Sequence, residues 1–577
     1  MLDLRLYRLT LLPFAVGLVI VAFSLHSGPA PLSGTLPIQG FDATTAARAL
    51  SGLAAAGEPG SSKDDALAQQ LSAAAPPGGF AQTGFNVHLV SVHAETAVGA
   101  RTLDVVSATA PGQRPGRIAV LADRANRAAT ELLIELAESL RDVVRQRSVL
   151  LVSTAGGASG IAATVGTLPR DVAAAIVIGG VAGASSGSTL RVAPWSSKGV
   201  APPAVRVTVE AALATASGRR VGDVSLADQL ARIALPLTAG GQGPLGNAGI
   251  PAVLVGTGGE VPDGAAGASV ADLRVMGDAI AAAVSALDVA GSLPAAPWRG
   301  LSVGSQLLDG WGARLLGGLA LLSLAGCTLD VLARSRRRRT PVLRCVAWVL
   351  SFATPFALAG LFALFLGAAG LFRATPATVV TPAELPVGAA GTGVLFSVIL
   401  LFVLAWGLRA YARRRTGGHG SGPPPPLGAG AALLATTTVV AFLIWIVNPY
   451  TSLLVVLPAH AWLVALTREQ GCRPAAGLAV LALSLAPLAA AVALLCSGLG
   501  VSPFGLLWTL VVLVGSSGLS LGGLLLAALA AGCGVAAGMA LLAPAPPPPP
   551  EMPVTVRGPL SYAGPGSLGG TTSALRR

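Results

Sequence analysis

The second half of this chain is a series of apolar runs long enough to cross a membrane, separated by short clusters of arginine. A run of about 20 apolar residues spans the hydrocarbon core, and it folds as a helix because no water there can satisfy its backbone. One such run precedes this region at residues 9–25, so we predict about nine spans in an all-α polytopic bundle. The other eight are residues 313–333, 345–371, 388–410, 428–447, 451–467, 475–497, 501–516 and 519–543.

The arginine clusters predict an orientation, because arginine in short loops beside spans favours the cytoplasmic side. They lie at Arg5 and Arg8, Arg334 to Arg344, Arg409 to Arg415, and Arg468 with Arg473. All of them agree with a cytoplasmic N-terminus, an extracytoplasmic segment 27–312, and a multi-pass protein of the plasma membrane. The tail is open: nine spans would put it outside, whereas its own arginines favour the inside, and a re-entrant segment 501–516 would reverse it.

Four regions follow from this pattern. Residues 1–26 are predicted to be an uncleaved anchor, with a cleaved signal peptide as the alternative because small residues begin at Ser27. Residues 27–312 form the external domain, residues 313–543 the remaining spans, and residues 544–577 a tail rich in proline and glycine.

The external segment has the charge of a soluble domain. It contains 19 Lys and Arg against 21 Asp and Glu, whereas the whole chain is only 11% charged and has a net charge of +12. The positive charge therefore belongs to the flanks of the spans, and we predict no nucleic-acid partner. None of the five cysteines falls in this segment, so no disulfide framework is expected.

Apolar runs alternate with helical periodicity in the external segment. Strands are predicted at residues 102–108, 117–122, 148–153, 172–178 and 252–255, and helices at residues 128–144 and 275–287. Strands that alternate with helices predict an α/β domain with a mainly parallel sheet flanked by helices.

Several short motifs follow one another in residues 100–290. The strand at residues 118–122 is followed by Asp123-Arg124, and Ala125-Asn126 then opens the run Glu131-Leu-Leu-Ile-Glu-Leu-Ala137. The strand at 148–153 comes next, and Gly240-Gly-Gln242 precedes Gly249-Ile-Pro-Ala252. This ordered set resembles the M28 family of zinc aminopeptidases, whose members hold two zinc ions with His and carboxylate ligands and use a Glu as base.

The resemblance also identifies the positions at which the family's zinc ligands and catalytic Glu are replaced by other residues. The family's first His corresponds to Asp123, the bridging Asp to Ala125 beside Asn126, and the Glu–Glu pair to Gly156 and Gly157. The next Asp corresponds to Gly179 and the last His to Gln242. We therefore predict a degenerate site with no catalytic residue, no bound metal and no cofactor.

Three histidines are the remaining candidates for a functional role. His88 and His93 are the histidines beyond residue 27 in the external segment. Five residues apart on a strand, they would point to opposite faces, so ordinary surface roles are predicted. His460, at mid-span depth, is predicted to pack and hydrogen-bond to a neighbouring helix rather than to relay protons.

The overall plan is similar to that of membrane-bound M28-like proteins, including the noncatalytic attachment subunit of the GPI transamidase. This resemblance implies an inactive protein that binds or assembles other membrane or envelope proteins in a cell-envelope complex. Small residues at the degenerate positions predict a wide, neutral cleft for a peptide or partner loop, with Asp123, Asn126 and Gln242 on its rim; a collapsed cleft is the alternative. A membrane-anchored zinc aminopeptidase, and a transporter or lipid-handling protein, are the competing hypotheses.

Overall fold

The structure, a computed structural model, describes most of the chain. The described residues are 4–34, 41–52, 56–73, 79–221, 224–261, 267–293, 297–371, 378–416, 426–466 and 474–543. Arg468, Arg473 and the tail at 544–577 lie outside them, so the expectations about these residues stay predictions.

The chain begins with helix α1 (Leu4–Phe23) and strand β1 (His26–Ser27), and an α/β domain follows. Its helices are α2 (Ala43–Gly52), α3 (Ser62–Ser72), α4 (Arg127–Ser139), α5 (Gly157–Thr164), α6 (Pro203–Ser217), α7 (Leu226–Ala234), α8 (Gln242–Asn247) and α9 (Val270–Asp288). Its strands are β2 (Asn86–Thr96), β3 (Gly99–Ala110), β4 (Arg114–Asp123), β5 (Arg147–Thr154), β6 (Val172–Ile178), β7 (Leu190–Ala193), β8 (Trp195–Ser196), β9 (Gly199–Val200), β10 (Ala252–Thr257), β11 (Leu301–Val303) and β12 (Gln306–Leu308).

Each predicted strand is present, but the sheet is mixed. Its order is β2-β3-β5-β4-β6-β10-β7. The four central strands β5, β4, β6 and β10 are parallel, whereas β2, β3 and β7 pair antiparallel at the two edges. The prediction of a mainly parallel sheet therefore describes only the centre, where strands buried on both faces read as continuous apolar runs.

Helix α4 is shorter than predicted. It ends at Ser139 instead of residue 144. The β-branched pair Val143 and Val144 disfavours further helix. The Arg145 guanidinium also donates to the Leu140 carbonyl at 2.6 Å, which satisfies a carbonyl at the helix end. This early end lets the chain turn back into β5.

The second half is helical. Its helices are α10 (Gly310–Arg337), α11 (Val342–Leu350), α12 (Thr354–Ala368), α13 (Ala389–Thr416), α14 (Pro426–Val447), α15 (Pro449–Leu466), α16 (Pro474–Leu499), α17 (Pro503–Gly515) and α18 (Leu521–Leu541). Among the described residues eight helices are long and apolar enough to cross a membrane, with α11 and α12 counted as one. This is consistent with a multi-pass membrane protein. As predicted, His460 in α15 contacts neighbouring helices, through Tyr7 of α1 and the Ala320 carbonyl of α10.

The difference from nine predicted spans lies at residues 501–516. Helix α17 has 13 residues there, which at 1.5 Å per residue is about 20 Å, less than the roughly 30 Å of a hydrocarbon core. Leu506 near its start and Leu513 near its end belong to one apolar cluster, against which Leu235 and Leu237 of the α/β domain pack. Helix α17 therefore lies along the seam between the domain and the bundle.

The connections between domain and bundle lie side by side. Strand β1, which follows α1, pairs with β12, which precedes α10. Helices α1 and α10 also pack together. Gly17 of α1 lies so close to Leu319 of α10, and Gly312 of α10 so close to Val21 of α1, that a side chain at either glycine would meet its neighbour. The domain is thus an insertion between two adjacent antiparallel helices.

Candidate functional site

The carboxyl ends of β4, β5 and β6 bring several of the degenerate positions together. Asp123 ends β4, and the backbone N–H of Gly157, just beyond β5, donates to its Oδ2 at 3.0 Å. The Asn126 Nδ2 donates to the carbonyl of Gly179, just beyond β6, at 2.7 Å. This is the edge of an open α/β sheet at which ligands commonly bind.

The polar side chains at this edge form hydrogen bonds with backbone groups of the surrounding loops. The Asn126 Oδ1 accepts from Ala129 N–H at 3.1 Å, so Asn126 caps α4 while its amide holds Gly179. The Asp123 Oδ1 accepts from Ala125 N–H at 3.1 Å. Both side chains therefore organise the loops around them, and Ala125 contributes a backbone group.

Gly156 and Gly157 form a turn that favours glycine. Their φ angles are +87° and +60°, a region that other residues enter only at a cost. A Cβ at Gly157 would lie 2.9 Å from Oε1 of Glu384 and 3.8 Å from Oδ2 of Asp123. A carboxylate from the bundle thus stands in front of the glycine that corresponds to the family's Glu–Glu pair.

Glu384 comes from residues 378–388, the loop between α12 and α13. Its Oε2 accepts from the Thr381 N–H at 3.0 Å, which stabilises the turn that presents it. The same loop contacts the domain again at Ser159, whose Oγ lies 3.5 Å from Thr378 Oγ1. The predicted wide and neutral cleft is therefore partly filled by the chain's own acidic side chain.

Sequence reasoning missed Glu384, although a signal was present. Only four acidic residues follow residue 312, and Glu384 is the one in a predicted external loop between spans. A short loop between two spans does not need an acidic residue to be soluble, so this acid could have been singled out. Its partner, however, is more than 250 positions earlier in the sequence.

The pKa values of both carboxyl groups are raised. Burial, opposed by the hydrogen bonds from Thr381 and aided by the nearby Asp123 carboxylate, raises the pKa of Glu384 to about 7. Burial in a recess also raises the pKa of Asp123, against which the N–H donors of Ala125 and Gly157 and the adjacent Arg124 act. Glu384 is thus a group that changes charge near neutral pH.

The Arg124 side chain forms a buried ion pair with Asp64. Its Nε and Nη2 donate to the Asp64 carboxylate at 2.7 and 3.1 Å, and its Nη1 donates to the Ser153 carbonyl at 3.1 Å. Both side chains of the pair are buried. This pair ties α3 to the end of β4 and leaves Arg124 no free donor pair for a ligand.

Two degenerate positions have no open space around them. Gln242 is fully buried at the start of α8, and its amide finds no hydrogen-bond partner among the described residues. A Cβ at Gly179 would lie 3.0 Å from Leu254 Cδ2 and 3.2 Å from the Val255 carbonyl. The predictions of Gln242 on the rim and of open space at Gly179 are therefore wrong, because α8 packs on β6 and β10, and β10 lies against Gly179.

A dinuclear zinc site does not fit these residues. Zinc needs three or four converging ligands, and no group of three or more His, Cys, Asp or Glu side chains with that arrangement occurs in the described part of the chain. Asp123 and Asn126 already accept backbone hydrogen bonds, and Gly157 has no side chain. His88 and His93 are exposed on the edge strand β2, where His93 Nδ1 lies 3.0 Å from Thr102 Oγ1.

The domain is anchored to the bundle beside this cleft. Arg232 of α7 and Glu260 form a buried ion pair at 3.1 Å, and the Glu260 N–H donates to Gly498 of α16. At the C-terminus of α7, the Asn448 amide and the Thr451 hydroxyl donate to the carbonyls of Ile233 and Ala234. The position of Glu384 in the cleft therefore depends on a specific docking of domain on bundle.

Comparison with known proteins gives similarity of fold only. No family model matches the chain, and no curated protein matches it. Similar solved structures include a zinc aminopeptidase from Bacillus subtilis, with 11% identity over 42% of this chain and 94% of that one and a TM-score of 0.32. A glutaminyl cyclase from Porphyromonas gingivalis has 14% identity over 42% and 98%, with a TM-score of 0.30. An aminopeptidase from Aneurinibacillus sp. strain AM-1 has 10% identity over 44% and 96%, with a TM-score of 0.31. These neighbours are zinc aminopeptidase-like and glutaminyl cyclase-like α/β folds, and at such TM-scores the similarity says nothing about activity.

Proposed function

We propose that this protein is an integral membrane protein that works by binding rather than by metallohydrolase chemistry, as an assembly component of a cell-envelope complex. The observation that carries the proposal is the cleft at the strand ends. There Asp123 and Asn126 accept backbone hydrogen bonds, and Glu384 of the bundle stands where a metal-ligating pair would project. A domain that binds its own membrane loop at this edge is built for contact between protein surfaces.

The proposed topology has eight crossings, with α17 on the external surface. Two contacts support it. A side chain at Gly367, near the end of α12, would meet Gly515, and one at Gly477, near the start of α16, would meet Leu541. In this arrangement α18 ends on the same side as the start of α16, which is the side of the arginine clusters. The tail arginines would then also be cytoplasmic, in agreement with the positive-inside rule.

Metal content tests the absence of metallohydrolase chemistry. The full-length protein, purified in detergent and exchanged into metal-free buffer, is expected to hold no stoichiometric zinc by elemental analysis. It is also expected to release no product from an aminoacyl chromogenic substrate. One or two zinc ions per chain, lost in the variant Asp123→Ala, would overturn the proposal.

Cross-linking in native membranes tests the assembly role. After cross-linking, purification and quantitative mass spectrometry, one or more membrane or envelope proteins should be recovered in a constant ratio to this chain. The ratio should be the same for wild type and Asp123→Asn, since no chemistry at Asp123 is invoked. Recovery of the chain alone under these conditions would contradict an assembly role.

A further inference from the structure

A second groove lies beside the C-terminus of α7. It has a volume of about 880 Å³ and is enclosed by the underside of the α/β domain and by the domain-facing ends of α10, α15, α17 and α18. This volume is within the range of roughly 300–1,000 Å³ that holds one small molecule. The groove is distinct from the strand-end cleft, because neither Asp123 nor Glu384 lines it.

One end of the groove is apolar and belongs to the bundle. Leu510 and Leu513 of α17 and Leu519, Gly523 and Ala527 of the α18 end line it. Ala527 lies nearly two turns into a helix that is apolar enough to span a membrane, and it is exposed. Because this wall continues into the surface of α18, it suits a hydrocarbon chain better than a water-soluble ligand.

The other end is cationic and belongs mainly to the domain. Lys198, Arg299 and Arg314 line it and are exposed, whereas Asp309 is the acid there. Among the described residues none of the three cations forms an ion pair; they donate to backbone carbonyls of Asn247, Lys198 and Ile446. Arg232, which also lines the groove, is neutralised by Glu260. The end therefore carries a net positive charge.

Three tryptophan side chains also line the groove, and Trp298 donates to Asp309 at the cationic end. Trp195, Trp298 and Trp311 all line the groove, and Trp311 begins α10 with 49% of its surface exposed. Tryptophan is enriched where lipid headgroups meet hydrocarbon, because its ring is apolar and its N–H is polar. An apolar wall at one end, with tryptophan side chains and cations at the other, suits a lipid at the membrane surface, whose acyl chain is apolar and whose headgroup is charged.

We propose that this groove binds one anionic glycerophospholipid. An acyl chain lies along α17 and α18, and the phosphate faces Lys198, Arg299 and Arg314. The volume admits the headgroup and part of one chain, so the rest of the lipid stays in the bilayer beside α18. This inference does not rest on the assembly role and goes beyond it.

Lipid retention by the purified full-length protein tests the charge complementarity. Native mass spectrometry would compare binding of phosphatidylglycerol with that of phosphatidylcholine of the same acyl chains. We expect one phosphatidylglycerol retained per chain in preference to phosphatidylcholine. Each cation near the surface strengthens binding about fivefold, so Arg299→Gln with Arg314→Gln should weaken phosphatidylglycerol binding about 25-fold. Arg170→Gln with Arg274→Gln, two exposed arginines of the domain outside the groove, should leave it unchanged.

A second pair of variants tests the acyl path. Ala527→Phe should fill the apolar end and reduce retention of both lipids, whereas Leu525→Phe, on the exposed surface of the same helix but outside the groove, should not. Monodisperse elution of each variant establishes that it is folded. Equal retention of the two lipids, or retention unaffected by both the charge and the Ala527 variants, would overturn the proposal. Displacement by free glycerol phosphate at the same concentration as by phosphatidylglycerol would also overturn it, because the site would then take a soluble phosphate.

Discussion

Replacement of Glu384 by glutamine should tighten the docking of the loop at residues 378–388 on the α/β domain, and only at neutral to alkaline pH. Burial raises the Glu384 pKa from 4.5 to about 7 when the carboxyl group lies beside Gly157 and Asp123. A raised pKa means that the docked state binds the proton more tightly than the undocked state. Its contribution to docking is therefore complete below about pH 4.5 and is lost as pH rises through 7.

The size of the effect follows from the same shift. One pH unit of difference in proton affinity is worth about 1.4 kcal/mol, so a rise from 4.5 to about 7 sets an upper limit of about 3 kcal/mol. Glu384 keeps some contact with solvent, and screening by water reduces the effect to about 1–2 kcal/mol. Glutamine has the shape of the protonated acid and its oxygen can still accept from the Thr381 N–H. At pH 8 Glu384→Gln should therefore favour docking by about that amount, and at pH 5 by much less.

Hydrogen exchange of the full-length protein measures this docking. Mass spectrometry of peptides that contain residues 378–388 would compare wild type and Glu384→Gln at the same pH, so that intrinsic exchange rates cancel. A change of about 1–2 kcal/mol slows exchange roughly five- to thirtyfold at pH 8. Glu95→Gln, an exposed acid on β2, is the matched control and should have no effect. An equal effect at pH 5 and pH 8, or faster exchange of Glu384→Gln at pH 8, would refute the reasoning.

Three further predictions concern the seam and the fold. Arg232→Ala should destabilise the docked protein by about 3–5 kcal/mol, because it leaves buried Glu260 unpaired; Arg232→Ala with Glu260→Gln should recover part of the loss in thermal unfolding in detergent. Cysteines at Ser62 and at Ser517, which follows α17, should both react with an impermeant thiol reagent on intact cells, whereas one at Arg337 should not; protection of Ser517 would favour a ninth crossing. Gly179→Trp should fail to give monodisperse protein, since even a Cβ there lies 3.0 Å from Leu254; a folded variant would show that β10 can move aside.

Short-range patterns in the sequence were sufficient for the long apolar helices and the central strands of the sheet. Length and polarity of the apolar runs identify α10 and α13 as helices long and apolar enough to cross a membrane, because a helix in hydrocarbon needs both features locally. Continuous apolar runs identify β4, β5 and β6, because strands buried on both faces carry few polar residues. The turn at Gly156 and Gly157 has positive φ angles, which glycine adopts at little cost.

Other features depend on contacts between residues far apart in the chain, and only the tertiary structure decides them. Nothing near Asp123 in sequence indicates that Glu384 lies beside it, because their meeting depends on how the domain docks on the bundle. Gln242 is polar, as expected of a residue on the rim of a cleft, but the packing of α8 buries it. The apolar run at α17 satisfies every local criterion for a span except length, and its packing between domain and bundle makes it a seam helix. Apolar helices, apolar strands and glycine turns depend on residues close together in the sequence. Burial and charge pairing depend on surfaces that come together only when the chain has folded.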